Sequence, residues 1–192
     1  MKKWLAGGCG LFVLAALALG VVVGLWLMGA YNRIVTAEQG VESAWSQVEN
    51  NLQRRADLVP NLVETVKGYA AHEREVFENV AEARSRLAGA ASPQEAEAAN
   101  AGLTSALGRL LAIAENYPTL KADQNFRGLQ DELAGTENRI ATARFDYNNA
   151  VREFNTLIKR FPGNLAAGFF GWVARDYFEA EQGKKEVPKV SF

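Results

Sequence analysis

No charged residue occurs between Trp4 and Asn32, a run that reads WLAGGCGLFVLAALALGVVVGLWLMGAYN. A helix over Trp4–Ala30 would be roughly 40 Å long, enough for a hydrocarbon core of ~30 Å and both interfaces. Trp4, Trp26 and Tyr31 stand where an aromatic belt would place them. A cleaved signal peptide has an apolar region of only about 7–15 residues and a small-residue cleavage site. This run is far longer, with a poor site near Ala30, so residues 1–31 are expected to form an uncleaved anchor. In LAGGC the apolar run follows the cysteine, the reverse of a lipoprotein signal, so Cys9 reads as a small apolar residue in the membrane. Lys2 and Lys3 precede the span and Arg33 follows it closely. The positive-inside rule therefore leans towards an inside N-terminus and an outside body.

The rest of the chain narrows by exclusion. Among 192 residues, 21 basic groups balance 22 acidic ones, so no basic excess points to nucleic acid as a partner. One cysteine and one histidine exclude a disulfide within the chain and a protein-only zinc site with the usual ligands. No cofactor is expected. Abundant Ala, Leu, Val, Glu and Arg, with five prolines, point to an all-α protein.

From Val41, steps of four and three pass through Trp45, Val48, Leu52, Arg55, Val59, Leu62, Val66, Tyr69, Glu73, Val76, Val80, Ala83 and Leu87. That is a seven-residue repeat, the seam of a long bundle or coiled coil. The phase runs through Pro60 unbroken, which favours one kinked helix; the alternative is a new helix that begins at Pro60. Gly89 and Pro93 then break the pattern, and Ser92-Pro-Gln-Glu95 forms a capping box for a second helix ending near Asn116. A third helix opens near Ala122 and repeats the heptad from Phe126 to Phe161, where FPGN stops it. Short connections between these three main helices predict an elongated antiparallel bundle over residues 32–163. Residues 164–180 read as a short aromatic amphipathic helix and 181–192 as a polar, extended tail.

Arg55 and Glu73 are the two charged positions in the seam. Eighteen residues of helix separate them by ~27 Å, so each needs a partner elsewhere. Glu132, Glu137, Arg144 and Asn148 on the third helix are available partners: Arg55 could meet an acid there, and Glu73 could meet Arg127 or Arg139. Register-fixing polar pairs are the favoured reading, with contacts between subunits as the alternative. Asp57, Asn61 and Glu64, four and three residues apart, form a polar stripe beside the seam, Arg54 joins Arg55 among the candidate seam or interface residues, and Asn148, Asn149 and Asn155 make a similar stripe. His72 lacks the second histidine four residues on that a zinc-protease helix requires, since Val76 stands there. Phe169, Phe170 and Trp172 either cap the bundle, lie in a lipid interface or pack on another subunit. Asp176 cancels Arg175 there, which argues against an anionic-lipid switch in that segment.

The blocks AWSQVENNLQRRADLVPNLVETVKGYAAHE, VAEAR, NFRGLQDEL, ENRIATARFDYNNAVREFN, FPGNLAAGFF and YFEAE resemble the LemA family from the anchor onward. The resemblance implies a bacterial inner-membrane protein with one N-terminal span, a helical-bundle body and no established enzymatic activity. It also implies an inside body, against the lysine count. The expected function is a non-enzymatic, self-assembling membrane scaffold. The alternative is an adaptor for a membrane protease or envelope-stress complex. Expected partners are the lipid bilayer, further copies of the chain and a second membrane protein. Gly20-x-x-x-Gly24 has the spacing that favours close helix contact in lipid.

Overall fold

The computed structural model describes residues 2–70 and 72–178, with only the helix course for 2–13. Among the described residues there are six helices and no strand, the all-α class that the composition implies. They are α1 (Lys2–Lys67), α2 (Arg74–Ala88), α3 (Pro93–Ala114), α4 (Pro118–Ala122), α5 (Gln124–Lys159) and α6 (Gly163–Phe170). Among the described residues two compact units form: the chain up to Glu42 with Ala150–Arg175, and Ser43–Asn149 with residues 176–178.

In the second unit, the heptad positions of α1 face inward. Val48, Leu52, Val59, Leu62 and Val66 are buried and Trp45 is half-buried. α1 passes through Pro60 without a break. It ends at Lys67, however, so the single helix expected to run on to Leu87 is two helices joined by a turn. Gly68 opens that turn, where glycine's conformational freedom works against helix. The turn happens to preserve the seven-residue count, so periodicity alone could not reveal it. Its consequences are local: Tyr69, counted in the seam, is 41% exposed, while Phe77, Val80 and Leu87 carry burial onward in α2.

α3 starts as its capping box dictates. The Glu95 amide donates to Ser92 Oγ at 3.2 Å, and the Glu95 carboxylate accepts from the Ala91 amide at 2.9 Å. Its buried stripe is Ala96, Asn100, Leu103, Leu107, Leu110 and Ala114, with Ala106 beside it. α5 is opened by Asp123, whose Oδ1 accepts from the Phe126 amide at 2.9 Å. Phe126, Leu133, Thr136, Ile140, Ala143 and Tyr147 line its inner side. Trp45 meets Tyr147 while Arg54 meets Glu132, so α1 and α5 run antiparallel in this unit.

The first unit contains α1 up to Glu42, the end of α5, α6 and the chain to Arg175. Near its N-terminus, the described part of α1 is long and apolar enough to cross a membrane. Its large side chains from Leu14 to Met28 are exposed except for the half-buried Leu27, whereas Ile34 is buried against the α5–α6 turn. A cis Phe161–Pro162 bond leads into α6, which ends at Gly171 in the left-handed conformation (φ 80°). The expected aromatic helix therefore stops at Phe170, and residues 172–178 form a non-helical strap.

Candidate functional site

Among the described residues, the most buried charge in the second unit is Arg55, 4% exposed. Its Nη1 donates to Asn100 Oδ1 of α3 at 2.6 Å and to Glu137 of α5, and its Nη2 donates to Thr104 Oγ1 at 3.0 Å. Three helices thus meet on one guanidinium. Its Nε is buried without a hydrogen-bond partner among the described residues. Burial pulls the Arg55 guanidinium below its ordinary value, while the Glu137 carboxylate acts in the opposite direction. Nη1 alone bonds both α3 and α5, and the planar fork lets Nη2 reach Thr104 at the same time.

Two neighbouring pairs lie nearer the surface. Arg54 binds Glu132 through Nε (3.0 Å) and Nη2 (2.7 Å), and Arg139 reaches the same carboxylate at 2.9 Å. The hydrogen bonds from Arg54, then its charge, hold the Glu132 carboxyl below its usual range, with Arg139 assisting. Arg144 donates to Glu97 of α3 at 2.6 Å and lies over the Phe178 ring at 4.8 Å. Phe178 also packs against Trp45 and Tyr147. Asn148 holds the Phe178 backbone from both sides, donating to its carbonyl at 3.0 Å and accepting from its amide at 2.9 Å.

The sequence-predicted polar positions thus divide. Arg55 and Glu137 come together, and Arg54 finds Glu132. Arg144 pairs with α3, and Asn148 grips the strap. Asp57 and Asn61 are exposed: Asp57 accepts from Gln53, and the Asn61 carbonyl accepts from Thr65. Glu73 is the half-buried N-cap residue of α2, its side chain makes no capping bond, and Arg139 is engaged with Glu132 instead. His72 is exposed in the turn beyond α1, and no group of three His, Cys, Asp or Glu side chains converges among the described residues. Asn100 and Glu97 were missed. Asn100 had a signal, since Ala96, Asn100, Leu103 and Leu107 share one helical stripe in which a lone amide needs a partner.

In the first unit the aromatic positions assemble. Tyr31 contacts Phe170 and Trp172 at ring separations of 4.8 and 5.3 Å, and Trp26 meets Phe161 at 5.2 Å. Phe169 is 84% exposed and Phe170 56%. Glu38 accepts from the Trp172 indole at 2.9 Å and from Arg175 at 3.1 Å, and Asn155 exchanges two backbone bonds with Arg175. The side chain of Trp4 lies outside the described residues.

The LemA family model matches residues 44–192. Magnetosome protein MamQ 2 of Paramagnetospirillum magneticum is 29% identical over 207 residues, covering 94% of this chain and 75% of its own. Magnetosome protein MamQ of Magnetospirillum gryphiswaldense is 27% identical, over 86% and 70% respectively. Protein LemA of Metamycoplasma hominis is 25% identical over 73% of this chain and 64% of its own. None of these names describes an enzyme.

Proposed function

Because the chain belongs to the LemA family, we propose that it is a single-pass protein of the bacterial inner membrane and a self-assembling scaffold without enzymatic activity. The carrying observation is the open surface of the apolar stretch of α1. Its large side chains from Leu14 to Met28 are exposed except for the half-buried Leu27, and nothing lies within 4 Å of where a Cβ would sit at Gly20 or Gly24. In lipid such a small-residue face allows a like helix to approach closely. The charges of the body support the same reading, since Arg54, Arg55, Arg139 and Arg144 are spent on partners within the chain. Sedimentation of the full chain in mild detergent should show a defined oligomer that Gly20→Ile with Gly24→Ile weakens. A monomer under every mild condition would sink the scaffold. A stoichiometric foreign protein in crosslinked membranes would replace it with an adaptor.

A further inference from the structure

We propose that the first unit binds the phosphate of an anionic phospholipid in a cleft between α1 and the α5–α6 turn, with Arg33 and Arg160 as its ligands. The cleft encloses about 410 Å³ and is lined on its apolar side by Leu25, Trp26 and Phe161. Trp26 and Phe161 face each other at 5.2 Å, so this wall is built by contact between the two sides of the cleft. Arg33 and Arg160 supply its charge, and no carboxylate lines it. Both side chains are exposed, and neither makes a hydrogen bond or ion pair among the described residues. That sets them apart from Arg54, Arg55, Arg139, Arg144 and Arg175, each held by a carboxylate. Two unspent guanidiniums at one opening present fork-shaped donors suited to a phosphate.

The apolar wall decides the source of that phosphate. Leu25 belongs to the exposed apolar stretch of α1, and Arg33 stands eight residues further along the same helix. Eight helical residues rise ~12 Å, enough to pass from hydrocarbon through a headgroup layer of roughly 5–8 Å per leaflet. An occupant with an acyl chain on Leu25 and Trp26 and an anion at Arg33 and Arg160 matches the cleft at both ends. A free phosphate would leave the apolar end bare. This inference rests on the membrane-anchored reading.

The test uses the full chain in nanodiscs of phosphatidylcholine with a minor fraction of phosphatidylglycerol, with retained lipid counted by native mass spectrometry. The intact protein should retain phosphatidylglycerol several-fold above its bulk share. Arg33→Gln and Arg160→Gln should each remove part of that enrichment, the double variant should return it to the bulk share, and Arg→Lys should restore part of it. Flotation on pure phosphatidylcholine vesicles reads the anchor separately and should be unchanged by these substitutions. Flotation with no enrichment, or with enrichment that ignores both arginines, overturns the lipid site alone. Failure to float overturns the anchor and the site with it. Displacement of the lipid by soluble glycerol phosphate at equal concentration overturns the lipid as the source of the anion.

Discussion

The Arg84 side chain donates from Nε to the backbone carbonyl of Ala56 at 2.8 Å. Ala56 lies four residues before Pro60, and its carbonyl is the acceptor that the proline, lacking an N–H, cannot fill. A side chain from α2 thus supplies the donor that α1 lost, which accounts for a proline tolerated inside a helix. Arg84→Met should cost about 1–3 kcal/mol through the orphaned carbonyl. In a Pro60→Ala background, which restores the backbone donor, the same substitution should cost markedly less. Denaturant unfolding of the four variants measures the coupling, and additive effects would remove this explanation.

Arg55 and Glu137 should respond unequally to mutation. The Arg55 side chain is 5% exposed and that of Glu137 46%, so each leaves a different remnant when its partner goes. Glu137→Ala strands a buried guanidinium and should cost about 3 kcal/mol or more. Arg55→Met keeps the volume, lets Glu137 hydrate and strands Asn100, for a cost of about 1–2 kcal/mol. Equal losses from the two variants would contradict the asymmetry.

Acid should loosen the Arg54–Glu132 contact. A carboxyl held below its usual range contributes stability that is present above the unfolded value of about 4.3 and lost as pH falls through the lower folded value. Glu132→Gln should therefore flatten the melting temperature against pH below about pH 5. A variant profile parallel to the parent's in that window would refute the linkage.

Two glycines of α6 should behave oppositely. A Cβ at Gly163 would overlap the Leu157 carbonyl oxygen, whereas one at Gly168 meets nothing within 4 Å. Gly163→Ala should destabilise by about 1–3 kcal/mol, since backbone must move to admit it. Gly168→Ala should be neutral or stabilise by up to about 1 kcal/mol through helix propensity. Thermal melts of the two variants check the pair.

The strap should loosen one clamp at a time. Asn155 holds Arg175 in the first unit, and Asn148 holds Phe178 in the second, each by a donated and an accepted bond. Asn155→Ala should speed amide exchange at Arg175 by roughly ten-fold or more, and Asn148→Ala should do the same at Phe178. Asn155→Asp keeps the acceptor for the Arg175 amide, so its exchange there should rise less.

Much of the candidate site was half-legible from the chain alone. Arg55 stood out as a charge in an apolar seam, and Glu137 was among the acids available to it. Asn100 and Thr104 escaped because the register of α3 against α1 is set by packing across a separation of 45–49 residues. Local periodicity carries no record of that register. The asparagine stripe was visible too, but its partners are backbone groups of an extended strap with no periodic signal. Glu73 misled for a related reason: α1 ends at Lys67 and α2 begins at Arg74, so the heptad count runs on where the helix does not.

The sequence by itself determined the all-α class, the capped start of α3 and the apolar run at the N-terminus. These follow from local propensity, side-chain spacing and hydropathy, which are properties of neighbours along the chain. Only the tertiary structure decided which groups answer one another. Arg84 fills the vacancy left by Pro60, Arg55 ties α3 to α5, and Asn148 and Asn155 grip the strap. Each is a contact between distant segments, where burial makes an unpaired polar group costly and packing geometry chooses the partner.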